Sequence, residues 1–502
     1  MKKRQINKLL IANRGEIALR VIRACKELEI CSVSVFSDVD RKSLHVLHAD
    51  EAYALGGSTP RESYLNQAKI IEISRAASVD AIHPGYGFLA ENPDFADAVA
   101  AAGVLFVGPS GDAIRLMGDK TQARKAARQL GIPTISGTFE PVKDVSDGLL
   151  HAADIGYPIL LKAAAGGGGK GMRVVRASGD FEVALRMAQS EAQGAFGDDR
   201  VYMEKYLESP RHIEMQILAD SYGNVLYLGE RECSIQRRHQ KVIEESPSTA
   251  VDEKLRGELG EAAVRLAKTA GYTNAGTMEF LLEPSGKFYF LEMNTRLQVE
   301  HPVTEEITGL DLVKQQIRIA EGERLSIRQE QLKFRGHAIE CRICAEDAEN
   351  GFMPSTGKLV RYQLPQGRIR VENGFQEGDE ISVYYDSLMA KVISWGETRT
   401  EAITTMKRAL ADFTIEGVKS TIPFCESVLN SSSFVEGNVD TGFVDKHFDP
   451  SILSIVSTDQ MLAAAVSAVL IGVHSKRPTE SRHNGLSPAS SGWKDSRREG
   501  FR

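Results

Sequence analysis

The pattern of apolar residues changes once along this chain, and the change narrows the folds open to it. Up to about residue 118, short apolar strands alternate with helical segments. KLLIA is followed by helical periodicity over Gly15 to Leu28 and then by the strand CSVSVF. A helix around Tyr64 to Ala76, the strand AIHPG, a helix around Phe95 to Ala102 and the strand VLFVG complete the run. Such alternation predicts a parallel sheet with helices on both faces. Ligands of these sheets bind at the carboxyl ends of the strands. The loop Gly85-Tyr86-Gly87-Phe88, with Glu91 and Asn92 beyond it, lies at one such end. By pattern alone it is equally a glycine turn with an aromatic plug.

From about 119 to 325 strands dominate instead. The helix TQARKAARQL stops at Gly131-Ile132-Pro133 and is followed by YPILLKAA, GMRVV, VYMEKYL, RHIEMQILAD and NVLYLGERECS. A long helix near Glu253 to Ala270 separates these from GTMEFLL and KFYFLEMN. A third segment, about 335 to 447, opens with the strand HAIECRICAED and runs through short strands to a helix at Thr400 to Phe413. Ser, Arg, Pro and Gly then dominate residues 475–502, the composition of a flexible tail. A chain of 502 residues carries a soft prior of roughly three domains. The fold class expected is α/β followed by α+β.

Composition limits the partners. The net charge is −7 and no Lys/Arg run is dense enough for a nucleic-acid arm, so nucleic acid is not expected. The apolar run Met461 to Val473 is too short to span a bilayer and contains Ser467, so no membrane is expected. The N-terminal MKKRQINKLLIANRGE reads as a first strand rather than a signal peptide, which makes a cytoplasmic location the expectation. Of the six cysteines, Cys341 and Cys344 form a CxxC with no second pair at zinc-site spacing, and HAIECRIC reads as strand. Buried thiols in a reducing compartment follow.

Two motifs carry chemistry. In AAAGGGGKGMRVV the glycines Gly166, Gly168 and Gly171 fit GxGxxG, but strand follows them rather than helix. That excludes a dinucleotide turn, and Gly171 after Lys170 excludes a Walker A loop. A glycine-rich hairpin remains, its N–H groups suited to polyphosphate, with Lys162 on the strand before it. The second motif is a hairpin from Thr277 to Asn294 around the turn Glu283-Pro284-Ser285-Gly286. If those four residues form the loop, Leu282 pairs with Lys287 and Glu279 lies opposite Phe290. Glu279, Glu292 and Asn294 then share one face. Two carboxylates on such a face repel unless a cation lies between them, and an all-oxygen set indicates Mg²⁺ or Mn²⁺. Together the motifs imply a magnesium nucleotide. The stretch Asn294 to Pro302 that follows holds Arg296, Gln298, Glu300 and His301, and reads as an active-site wall. Arg237, Arg238, His239 and Lys241 form a basic cluster suited to an anionic substrate.

In order along the chain, IANRGEIALR, AIHPGYGFLAEN, MGDK, GGGGKGM, MEKYLESPRHIEMQ, ERECSIQRRHQKVIEE, GTMEF, FYFLEMNTRLQVEHPVTE and HAIECRICAED resemble biotin carboxylase over residues 6 to 447. This is the ATP-grasp component of acetyl-CoA, acyl-CoA and pyruvate carboxylases. The resemblance implies an ATP-grasp fold with a Rossmann-like pre-ATP-grasp domain (1–118), an ATP-grasp domain (119–325) with a mobile lid about 134–204, and a C-terminal biotin carboxylase domain (335–447). Carried onto this chain, Lys120, Lys162, Gly168 and Gly169 would contact ATP phosphates. Glu204, Lys205 and Leu207 match the family's adenine-reading strand, and His212, Gln236 and His239 would line the nucleotide pocket. Glu279, Glu292 and Asn294 would hold two magnesium ions.

The resemblance also implies the reaction. Bicarbonate attacks the γ-phosphate of ATP, giving carboxyphosphate and ADP, and biotin is then carboxylated. Glu300 resembles the family base, Lys241 and Arg296 its anion clamp, and Gln298, Val299 and Arg342 its bicarbonate and biotin contacts. Arg296 and Arg342 would stabilise the enolate oxygen of biotin. Biotin carriers present their lysine in an AMKM-like turn, whereas Met406-Lys407 falls in a helical segment. A biotin carboxyl carrier protein on another chain is therefore implied, with a separate carboxyltransferase. The family commonly forms homodimers, which the resemblance implies here; Arg20 matches a family interface position, although a lone Arg on a helix is more often just solvated. Cys344 stands where many relatives have Asn, and Lys170 where Arg is common. The rival readings are another ATP-grasp ligase that makes an acyl-phosphate, and a silent ATP-binding regulatory protein.

Overall fold

The apolar strands of the first segment assemble, in the computed structural model, into a five-stranded parallel sheet. Its strands are β1 (Lys8–Ile11), β2 (Cys31–Phe36), β3 (Glu51–Ala54), β4 (Ala81–His83) and β5 (Leu105–Phe106), in the order β3-β2-β1-β4-β5. The structure describes residues 3–138, 140–163, 172–454 and 466–467. They belong to two units, Met1–Pro450 and Ser451–Arg502. The expected tail 475–502 and the glycine hairpin 164–171, with Gly168 and Gly169, lie outside the described residues.

Both faces of the parallel sheet are covered, as the unbroken apolar strands require. Leu9 and Ile11 pack with Val21 and Ile22 of the helix Gly15–Glu27. Leu10, Val33 and Ile82 pack on the other face with Ile70 and Phe95. The helix expected from Tyr64 begins at Gln67, because the Asn66 side chain caps it by accepting from Lys69 N–H. Tyr64 stays in the preceding turn and donates its hydroxyl to Asp40 at 2.7 Å. Strand β3 was not expected; its EAYA alternates half-buried with exposed residues and offers little apolar signal.

The later strands form two further sheets. A small one, in the order β7-β6-β8, joins β6 (Ile159–Ala163), β7 (Arg173–Val175) and β8 (Val201–Lys205). The large one is antiparallel and eight-stranded. It contains β9 (Arg211–Ala219), β10 (Val225–Arg237), β11 (Gln240–Ser246), β12 (Asn274–Leu282), β13 (Phe288–Asn294) and β14 (His337–Cys344). The strands Leu388–Gly396 and Arg370–Asn373 complete it beside β14. Residues on either side of position 325 thus share one sheet. One face is apolar: Ile213, Met215 and Ile217 of β9 pack with Met278 and Phe280 of β12 against the helix Glu253–Thr269. The alternate positions, His212, Glu214 and Gln216, carry polar groups on the opposite face.

Strand β11 also departs from expectation. Arg237 pairs with Gln240, so Arg238 and His239 form a two-residue turn, with φ of 47° and 66°. Turns of that kind favour Asn and Gly, and their absence hid this one. Two helices of the small β6–β8 region were missed as well. Val145–Ile155 is capped by Asp144, which accepts from Asp147 N–H, and Phe181–Phe196 ends at Gly197 with φ 72°. They enclose a separate core of Ala152, Leu161, Phe181, Leu185 and Met203. The six cysteines are free, and all but Cys31 are buried. Met406 is buried inside the helix Arg399–Asp412, as its sequence context implied. Among the described residues, no helix is long and apolar enough to cross a membrane.

Gly148 lies where a Cβ would overlap the Phe181 ring and the Val142 side chain. Gly148→Val should destabilise this small core by about 1–3 kcal/mol, the usual cost of overpacking. Hydrogen exchange should quicken across residues 142–203 and stay unchanged in the parallel sheet; uniform protection in the variant would contradict this packing.

Candidate active site

A cleft of about 1590 Å³ opens over the polar face of the large sheet. Of the residues expected at the site, Lys120, Lys162, Glu204, Lys205, Leu207, His212, Gln236, His239 and Lys241 line it. So do Glu279, Glu292, Asn294, Arg296, Gln298, Val299 and Arg342. Glu300 does not; it is fully buried beneath the floor. The loop after β4 contributes Tyr86, Gly87 and Phe88 to the wall, at the carboxyl end of its parallel strand. Asn13 shapes that loop by donating to the Pro84 and Tyr86 carbonyls, and Gly85 has φ 63° with no room for a Cβ beside Asn13. The aromatic plug is present too, with Phe88 stacked on Tyr64 at 5.1 Å.

The metal hairpin has a different register from the one expected. Leu282 pairs with Phe288 and Phe280 with Phe290, and then Glu279 pairs with Glu292 and Thr277 with Asn294. The shift between Phe280 and Glu279 is a β-bulge that inserts Leu291. The bulge decides the outcome. Continued without it, the register of Phe280 and Phe290 would set Met278 against Glu292 and turn the two carboxylates to opposite faces. With it, Glu279, Glu292 and Asn294 share the cleft face, while Phe290 and Met293 both reach the core despite being three residues apart. The shared face was expected; its cause was not.

At the nucleotide end, Lys120, Lys162 and Arg124 already face carboxylates. Lys120, at the start of the helix Lys120–Gln129, lies 2.8 Å from Glu292. Lys162 and Arg124 both bind Glu204. The Lys205 ammonium donates to the Gly156 and Tyr157 carbonyls, and its backbone N–H to Ser136. Leu207 is buried in the wall. Gln236 and His212 Nδ1 are 2.7 Å apart, and His212 Nε2 is 3.1 Å from Glu279. Burial, and then the charges of Lys162 and His212, lower His239 below the ordinary histidine value.

Lys241 is the centre of the floor. Its ammonium lies 3.0 Å from Glu279 and 2.7 Å from Glu300 and also binds Glu214. Burial alone would lower its pKa, but the three carboxylates outweigh burial and raise it. Arg342 donates to Glu244 at 2.6 Å and to Glu300 at 2.9 Å. Burial alone would raise Glu300; Lys241, Arg342 and Arg231 overcome this and hold it well below the usual carboxylate range. Glu279 is held low in the same way, by Lys241 and His212 against burial. Arg296 reaches Glu91 at 2.8 Å and Gln298 at 3.0 Å, and its Nη2 lies 3.3 Å from Asn294 Oδ1.

Several partners were missed by sequence reasoning, Glu214, Arg231 and Glu91 among them. Glu214 could have been found, since HIEMQI alternates strictly and puts His212, Glu214 and Gln216 on one face. Arg231, fully buried, sits opposite Glu214 and donates to Gln216, Thr304 and Thr277. Glu91, which binds Arg296 from the parallel-sheet region, had no local signal pointing to that partner.

Residues 5–114 match the family described as biotin carboxylase, N-terminal domain, and residues 340–446 the biotin carboxylase C-terminal domain. Residues 119–328 match the ATP-binding domain described for the carbamoyl-phosphate synthase L chain. The chain is 51% identical to biotin carboxylase 1 of Bacillus subtilis over 444 residues, 88% of this chain and 99% of the relative. It is 52% identical to a biotin carboxylase of Nostoc over 443 residues, again 88% of this chain and 99% of the relative. Among solved structures it resembles the biotin carboxylase domain dimer of Hydrogenobacter thermophilus 2-oxoglutarate carboxylase, in complex with MgADP, ADP and bicarbonate. That likeness has a TM-score of 0.86 at 47% identity and covers 90% of this chain and 100% of the other.

The floor makes a stability prediction. Lys241→Met leaves Glu214, Glu279 and Glu300 without the cation they share, which should cost about 3–5 kcal/mol. Adding Glu300→Gln to that variant should recover part of the loss. Thermal unfolding of the two variants checks this, and an unchanged midpoint in Lys241→Met would refute the shared-cation account.

Proposed function

The chain belongs to the biotin carboxylase family, and we propose that its cleft carries out each step of that reaction with the residues gathered on the polar face of the large sheet. The activity is the ATP- and bicarbonate-dependent carboxylation of biotin on a carrier protein, by an ATP-grasp ligase. The observation that carries the assignment of residues is the convergence of Lys241, Glu300, Arg342 and Arg296 beside the all-oxygen face of Glu279, Glu292 and Asn294.

The oxygen face suits a hard cation. Its carboxylates draw in ammonium groups, Lys120 against Glu292 and Lys241 against Glu279, as a surface that stabilises positive charge would. Glu279, Glu292 and Asn294 would hold two Mg²⁺ or Mn²⁺ ions, which when bound neutralise the phosphates of ATP. Lys120 and Lys162 orient those phosphates, with the glycines Gly168 and Gly169 closing over them. Glu204, Lys205, Leu207, His212, Gln236 and His239 surround the nucleotide.

Bicarbonate binds between Lys241 and Arg296, with Gln298 and Val299 beside it. Glu300, held by two cations, is ionised but a weak base. An anion entering beside Lys241 and Arg296 draws their charge toward itself, and Glu300 grows more basic. It then takes the bicarbonate proton, and the freed carbonate oxygen attacks the γ-phosphate. Carboxyphosphate and ADP result; carboxyphosphate gives CO₂ and phosphate, and the phosphate takes the N1 proton of biotin. Arg296 and Arg342 face the developing enolate oxygen. Biotin arrives on a carrier protein and leaves for a carboxyltransferase. The working form is a homodimer, and the functional divisions are 1–118, 119–325 and 335–447.

ADP release from MgATP tests this reading. It should vanish without bicarbonate and rise with biotin. Release indifferent to biotin, or dependent on ammonia, would point to another ATP-grasp ligase. Arg296→Ala should lower biotin-dependent turnover by about 10²-fold, the scale of losing one charge-stabilising donor. A variant that carboxylates biotin at the normal rate would remove Arg296 from the mechanism.

A further inference from the structure

Glu300 is held from above by Lys241 and from the side by Arg342, and the residue before it is held as well. Lys391, on the strand Leu388–Gly396, pairs directly with Arg342 of β14. The two cations therefore share one face of the sheet and reach the same turn. Arg342 Nη2 donates to Glu300 Oε2 at 2.9 Å, and Lys391 Nζ donates to the Val299 carbonyl at 2.7 Å. A single rung of the antiparallel ladder thus grips two consecutive residues, one by its side chain and one by its backbone.

Lys391 is fully buried. An ammonium out of water is costly unless compensated. Glu16 supplies compensation from the first turn of the helix Gly15–Glu27, with Oε1 3.2 Å from Lys391 Nζ. Both Glu16 oxygens are buried; burial pushes this carboxyl up to about 7, and the nearby Lys391 is the main group that pulls it back toward the charged form. The position of Glu16 is itself set by contact, because a Cβ at Gly374 would lie 2.8 Å from the Glu16 backbone nitrogen. The Tyr86 ring, whose residue lines the cleft, has its centroid 5.8 Å from the ammonium. Glu372 pairs with Lys391 on its other flank.

We propose that Lys391, backed by Glu16, is a positioning residue for the reaction: it fixes the Val299 carbonyl and so sets the turn that carries Gln298 and Glu300. This rests on the reading of Glu300 as the base. A base must lie within hydrogen-bond reach of the proton it takes. A misplacement of roughly 1 Å can cost on the order of 10²-fold in rate. Lys391 does not line the cleft, so its loss acts through Val299 and Glu300 and not on nucleotide contacts.

The test uses the full chain as Lys391→Met and as the double variant Glu16→Gln/Lys391→Met. The double variant removes both buried charges together, so it keeps the test open if the single one fails to fold. Bicarbonate- and biotin-dependent kcat should fall between about 10- and 10²-fold in the double variant. KM for ATP and MgADP binding should stay within about twofold of wild type, and exchange at residues 297–301 should quicken while the strand Leu388–Gly396 stays protected. Wild-type turnover, or loss of turnover together with ATP binding, would overturn the proposal. So would unchanged exchange at 297–301. A wild-type protein without biotin-dependent ADP release would instead sink the reading of Glu300, whereas the exchange measurement, which needs no turnover, still decides what Lys391 does.

Discussion

Three buried carboxylates share one lysine. Glu214, Glu279 and Glu300 come from β9, β12 and the turn after β13, and Lys241 from β11 meets all three. Each ion taken out of water costs several kcal/mol, so the group persists only while every member is held in place. Neighbouring antiparallel strands provide that hold, since their hydrogen-bonded ladder fixes which residues face each other. The large sheet can be read as the means of keeping four charges in contact. Its apolar face secures the strands and its polar face presents the charges.

That division explains what could be read from the sequence. HIEMQI on β9 and GTMEFLL on β12 alternate, and alternation predicts faces well. The oxygen set of Glu279, Glu292 and Asn294 was legible for this reason. The register was not, because the bulge at Leu291 leaves no mark in a hydrophobic pattern. Two errors cancelled: a pairing displaced by one residue put the carboxylates on one face, and the real pairing needs an inserted residue to do the same. The turn at Arg238 and His239 went unseen because residues of that size are rare at positive φ. Both of its residues line the cleft, and clefts are where local rules are most often broken.

Contacts from far along the chain were beyond reach altogether. Glu91 binds Arg296 across a separation of 205 residues, and Glu16 meets Lys391. In each case the parallel-sheet region supplies a carboxylate to a cation of the later segments. Composition shows that such charges exist but not which of them meet. The motif order that resembles biotin carboxylase conveyed the cleft's residues, whereas the polar density of Asn294 to Pro302 put Glu300 in the cleft wall. The structure buries it beneath Lys241, and Lys241, Arg342 and Arg231 depress its pKa against that burial.

Several of the cleft's cations are consequently paired with its own carboxylates. Lys120 faces Glu292, Lys162 faces Glu204, Lys241 faces Glu279 and Glu300, and Arg296 faces Glu91. In the proposed reaction, MgATP and bicarbonate enter by exchanging partners with these pairs and not by meeting bare charge. The exchange has a direction. Phosphates that take Lys120 free Glu292 to serve as an oxygen ligand for magnesium. An anion that takes Lys241 frees Glu300 to act as a base. The metal face and the base are therefore made ready by the substrates that need them, and a carboxylate that would otherwise abstract protons idly stays quenched until bicarbonate is in place.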